Sequence, residues 1–103
     1  MARGMGMAAV RVLQAIAAGT EYGFDIITAT GLPSGTVYPA LSRHERDGYV
    51  KSSWEDPHKA HGERRPVRRY YRITAEGRRA LAGVLDTLGP VTARRAKAAR
   101  ARS

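Results

Sequence analysis

Between Gly31 and Leu81 the spacing of apolar residues changes period twice, and few small folds accommodate that. Val37, Leu41 and His44 recur at helical spacing in the segment Ser34–Asp47. Tyr49–Glu55 and Val67–Ile73 then alternate, the first with Val50, Ser52 and Trp54 on one face and the second with Val67, Tyr71 and Ile73 opposed to Arg68, Tyr70 and Arg72. Beyond Thr74 the helical period returns, with Leu81, Leu85 and Leu88 at i, i+4 and i+7. The pattern predicts a helix, a two-stranded hairpin and a second helix. The 11 residues between the strands, Asp56–Pro66, are too polar for strand and read as a loop.

Upstream, Met7–Ala18 carries Val10, Leu13 and Ala17 on one stripe with Ile16 beside it, and Gly19 stops that helix. A shorter helix over Glu21–Thr30 turns Phe24 and Ile27 inward, with Tyr22 and Ile26 next in line. Gly31 supplies a turn, and Leu32–Pro33 restricts the backbone ahead of Ser34. Either Ser34 or Thr36 can cap the third helix. Pro39 bears on that choice. With Thr36 as cap, Pro39 falls in the first turn at no cost; with Ser34 as cap, one hydrogen bond is lost. Thr74 is the candidate cap of the last helix, and Gly89–Pro90 breaks it. The fold class is mainly α with a small β-hairpin (α+β), a winged helix-turn-helix. Residues 1–6 form an arm and 7–73 the winged domain. Residues 74–90 form a C-terminal helix and 91–103 a basic tail.

At 103 residues the chain holds one domain. Its 18 Lys and Arg against 9 Asp and Glu give a formal charge of +9, which calls for a polyanionic partner. With no cysteine, disulfides and thiolate metal sites are excluded. His58 and His61, in a loop without a third ligand, read as polar surface groups, and no metal or cofactor is expected. No apolar run approaches the ~18 residues a bilayer span requires, so no membrane partner is expected and the chain reads as cytoplasmic. Neither a nucleophile–base pair nor a Gly-rich phosphate loop is present, so no enzyme is expected.

The charge concentrates where a DNA reader needs it. A capped helix following a Gly-containing turn can lie in the major groove with its first residues at the bases. Ser34, Thr36, Tyr38, Ser42 and Arg43 are the candidate readers. Lys59, His61, Arg64, Arg65 and Arg68 crowd the hairpin over residues 56–67, the candidate wing for phosphates or the minor groove. His44 occupies an apolar position and reads as a core group holding one hydrogen bond; a sensing role is the minority reading. Trp54 and Tyr71 read as core by strand alternation, with Tyr70 on the opposite face, so a platform that stacks single-stranded bases is disfavoured. A non-specific architectural or protein-interaction winged helix is the alternative, and the arginines and lysine of the tail (Arg94, Arg95, Lys97, Arg100, Arg102) suit it.

Two motifs carry a family resemblance. GTVYPALSRHERDGYV at Gly35–Val50 and RRYYRITAEGRRAL at Arg68–Leu81 resemble the paired signatures of the PadR family of bacterial transcriptional regulators, and YGFDI at Tyr22–Ile26 is a looser match to a third. The resemblance implies a homodimeric repressor bound to a palindromic operator in double-stranded DNA, with Tyr38 and its neighbours approaching the bases. It implies a C-terminal dimerisation helix, begun by Thr74, Gly77 and Leu81, that packs on the first helix of the partner. Val10, Leu13, Leu81, Leu85 and Leu88 are the expected dimerisation residues. The chain departs from the family pattern at Tyr22, usually His, at His44, usually Leu, and in its short C-terminal region. Any small-molecule effector is left unidentified.

Overall fold

The computed structural model describes residues 5–87. The elements run α1 (Met7–Ala17), α2 (Gly23–Thr30), α3 (Ser34–Arg46), β1 (Val50–Trp54), α4 (Pro57–Gly62) and β2 (Arg69–Ile73), followed by α5 over residues 75–87. Leu88, the Gly89–Pro90 break and the basic tail lie outside the described residues.

Helix α1 is the keel. It buries Ala9, Val10, Val12, Leu13 and Ile16 and packs chiefly on α3, then on α2 and β2. Ile26, Val37, Leu41, Val50, Tyr71, Ile73 and Leu81 complete one core. Helix α2 ends at Gly31 in the left-handed region, φ 71°, where a Cβ would be strained. The Arg11 guanidinium donates to the Thr30 carbonyl at 2.6 Å, placing a cation at the negative end of that helix.

Neither Ser34 nor Thr36 caps α3. Extended Pro33 occupies the cap position, and its carbonyl accepts from the Thr36 and Val37 amides. Pro39 therefore lies past the first turn and leaves the Gly35 carbonyl without its usual donor. The chain leaves α3 through Gly48, and the Thr74 hydroxyl donates back to the Gly48 carbonyl at 2.6 Å. The Thr74 hydroxyl oxygen in turn accepts from the Gly77 amide at 3.0 Å, which makes Thr74 the cap of α5, as expected. Gly77 is required by contact: a Cβ there would sit 2.1 Å from the Tyr49 carbonyl oxygen.

Strands β1 and β2 pair antiparallel, with Val50 opposite Ile73, Ser52 opposite Tyr71 and Trp54 opposite Arg69. The hairpin departs from expectation at its far end. Residues 56–66 are not all loop: Asp56 accepts from the His58 amide and Pro57 opens the short helix α4, which buries Ala60. An Asp-Pro pair is a helix-start signal, an N-cap followed by a residue that needs no amide partner. Trp54 is not core but exposed, on the lining of an open cleft that it shares with Phe24 and Tyr38. Val67 is likewise exposed and precedes β2 rather than belonging to it. Phe24 also points outward. Helix α2 begins at Gly23, so its inward stripe is Gly23, Ile26 and Thr30, with Ile27 only half-buried.

Candidate nucleic-acid interface

The amphipathic spacing of α3 decides which of its side chains reach solvent. Val37, Ala40, Leu41 and His44 face the core. Ser34, Tyr38, Ser42 and Arg43 are exposed, and Thr36 is half-buried. Tyr38 is seated by its neighbour: an added Cβ on Gly23 would lie 2.8 Å from its Cε1 atom. The ring thus rests on the first turn of α2, and a side chain at residue 23 would push it off.

The far end of α3 is tied to the hairpin. The Ser52 hydroxyl donates to the Glu45 carboxylate. Arg69 donates to the Ser52 hydroxyl at 2.7 Å and to both Glu45 oxygens at 3.3 Å. Its guanidinium also lies over the Trp54 ring, 5.3 Å from the centroid. Helix and wing therefore share polar and stacking contacts that hold their relative orientation.

A second network closes the base of the wing. Buried Glu55 receives both terminal nitrogens of Arg65, at 2.5 and 2.6 Å. It also accepts from the Tyr70 hydroxyl and the Arg68 amide, each at 3.3 Å. Arg65 donates besides to Glu63 at 2.6 Å. These bonds from Arg65 hold the Glu55 carboxyl near a pKa of about 2 despite its burial. Tyr70 accepts from the Tyr22 hydroxyl at 2.7 Å, their rings 4.5 Å apart, and that bond with its burial pushes the Tyr70 phenol up to about 12. Tyr22, the departure from the usual histidine, thus fastens α2 to the wing.

The expected wing cations divide accordingly. Arg65 is not a free phosphate ligand, because its guanidinium is turned inward onto Glu55 and Glu63. Lys59 and His61 are exposed on α4, and Arg64 follows it in the left-handed region at φ 55°. Arg68 is exposed, with its guanidinium 4.7 Å from the Tyr22 ring centroid. Spacing alone could not separate Arg65 from Arg64, since the partner that distinguishes them lies ten residues away in sequence.

His44 is the core group expected. Its Nε2 donates to the Ala9 carbonyl at 2.8 Å, and its Nδ1 has no partner. Burial lowers its pKa, so the ring is neutral. Among the expected dimerisation residues, Val10, Leu13 and Leu81 prove to be buried within the single chain and present no surface. Leu85 on α5 and Met7 on α1 are the exposed apolar groups of those helices. Among the described residues no set of His, Asp or Glu is grouped to hold a metal, and no helix is long and apolar enough to cross a membrane.

Comparison with known proteins agrees with this fold. The sequence model of the transcriptional regulator PadR-like family matches residues 12–83. A PadR family transcription regulator from Clostridium difficile superposes with a TM-score of 0.72 at 22% identity, covering 84% of this chain and 92% of its own. A PadR-like transcription factor from Bacteroides fragilis also gives 0.72, at 23% identity over 84% of each chain. BpsR of Bordetella bronchiseptica, whose DNA binding is regulated by 6-hydroxynicotinic acid, gives 0.66 at 22% identity over 84% of this chain and 61% of its own. No curated protein matches the sequence.

Proposed function

The chain belongs to the PadR-like family of transcriptional regulators, and from that membership we propose a cytoplasmic homodimeric repressor that binds a palindromic operator in duplex DNA. One observation carries the reading: Tyr38 of α3 and Arg68 of the wing line the same cleft, so both elements address one side of the molecule. With α3 in the major groove, Ser34, Thr36 and Tyr38 come to the bases first, and Ser42 and Arg43 follow toward the backbone. The uncapped amides at the start of α3 suit a phosphate. Lys59, His61, Arg64 and Arg68 supply the wing's contacts. Arg65 acts through Glu55 by holding the wing in place.

The dimer forms through the exposed side of α5, with Leu85 against α1 and Met7 of the partner subunit. Two reading helices then face successive turns of the duplex. A gel-shift competition tests the reading. The chain should prefer DNA from its own upstream region over random duplex by ~10³ or more, with affinity falling steeply as salt rises. Equal affinity for both duplexes indicates the architectural alternative instead.

A further inference from the structure

The exposed apolar side chains of this protein are not scattered. Phe24, Tyr38, Trp54 and Val67 are 73%, 46%, 65% and 37% exposed, and they are four of the six large apolar groups exposed among the described residues. All four line one cleft of about 350 Å³ between the start of α2, the reading helix and the root of the wing. Folding gains nothing by leaving them in water, and a cluster of this kind marks a contact surface.

We propose that this cleft seats the sugar–phosphate backbone of one DNA strand as it passes from the major groove, read by α3, to the minor groove at the wing. The inference rests on the DNA-binding reading and adds an apolar seat to it. A strand backbone alternates deoxyribose, whose C–H edges pack on aromatic faces, with phosphate, which needs a cation. The cleft offers both. Trp54 and Phe24 supply ring faces for successive sugars. Arg68 lies on the lining with no carboxylate within ion-pair distance among the described residues. Arg69, also on the lining, is engaged by Glu45 and stacks on Trp54, which holds that ring in place. Asp25 on the α2 side is the one acid of the lining, and its charge disfavours a phosphate at that wall, leaving the Arg68 side as the seat for it.

A small planar ligand fits less well. Pockets for such molecules bury most of the ligand's surface, whereas two walls here are themselves largely in solvent. A strand that continues past both ends needs no enclosure.

Trp54 is the only tryptophan of the chain, so the seat reports on itself. The full-length protein is titrated with a mixed-sequence duplex at low salt, following Trp54 emission and its quenching by acrylamide. Emission should change at saturation, and acrylamide access should fall severalfold. Trp54→Ala and Phe24→Ala should each weaken binding roughly five- to tenfold, equally on the upstream region and on random duplex, because sugar contacts carry no sequence information. Trp54→Phe, which keeps a ring face for Arg69, should restore most of the affinity, and the melting curve of Phe24→Ala should match the wild type because that side chain is exposed.

A saturated complex in which Trp54 stays fully quenchable, with both alanine variants binding normally, overturns the seat while leaving DNA binding intact. Emission that answers a planar aromatic acid but not duplex overturns it in favour of a ligand pocket. Failure of the unaltered chain to bind any duplex removes the DNA-binding reading and the seat with it.

Discussion

The Arg65 guanidinium grips both carboxylate oxygens of Glu55, at 2.5 and 2.6 Å, where the wing leaves the sheet. Around that pair the hairpin, α4 and Tyr70 are held together. Arg65, expected among the wing's DNA contacts, is bonded to Glu55 and Glu63.

Arg65→Lys should not replace the pair, because an ammonium cannot make the two-pronged contact. Both Arg65→Lys and Arg65→Ala should increase hydrogen exchange across residues 55–68 while leaving the core amides protected. DNA affinity should drop with them. Unchanged exchange in the wing would remove the positioning role.

The same pair sets an acid limit. The Glu55 carboxyl sits near 2 in the folded chain against an ordinary value of 4.5. A depressed carboxylate stabilises the fold above its unfolded value, and that stability is lost as pH falls from about 4.5 toward 2. Melting curves across that window should shift down in the wild type. Glu55→Gln should be less stable at neutral pH and flatter through the window.

His44 gives a second, separate pH dependence. Its pKa is lowered by burial, so the unfolded chain binds the proton more readily than the folded one. Stability is full above the ordinary value of 6.5 and declines as pH falls below it. His44→Leu should remove this slope and match the wild type within about 1 kcal/mol at neutral pH, read by urea denaturation at several pH values. A slope that persists in the leucine variant would assign it elsewhere.

Two glycines should respond oppositely to alanine. At Gly77 a Cβ meets the Tyr49 carbonyl, so Gly77→Ala should cost about 1–3 kcal/mol or more through overpacking. At Gly83, also in α5, a Cβ meets nothing, so Gly83→Ala should stabilise by roughly 0.5–1 kcal/mol. Urea midpoints of the two variants check both.

Leu85→Glu should dissociate the proposed dimer without unfolding the chain, whereas Leu13→Glu should unfold it. Sedimentation together with circular dichroism separates the outcomes. A Leu85→Glu variant that remains dimeric would place the subunit contact elsewhere.

What the sequence made legible follows its periodicity. α1, α2, α3 and both strands were readable to within a residue or two, because each buries a stripe at its own period. Thr74 was readable as a cap by residue type. Errors arose where an element extends past the core it packs on. Alternation places Trp54 and Val67 inward, but at that end of the hairpin an open cleft separates them from α2 and α3. Phe24 was misplaced because the first turn of α2 is set by Gly23 under Tyr38, a contact across fifteen residues. Val10, Leu13 and Leu81, expected at a subunit contact, lie in the core of the single chain. Asp56–Pro57 is a cap signal in the sequence, but the polarity of residues 56–66 reads as loop and masks the start of α4. The Glu55–Arg65 pair left no local sign, since charge composition does not say which cation is already taken.

In the proposed complex α3 and the wing of two subunits grip a single duplex in a sequence-dependent way. Hydroxyl-radical footprinting of the chain's own upstream region, with the full-length protein, tests it most directly. Two protected tracts related by a dyad about one helical turn apart are expected, each continuing into the adjacent minor groove, and lost when random duplex is substituted. Uniform protection along any duplex, or a single tract with no dyad, would contradict it.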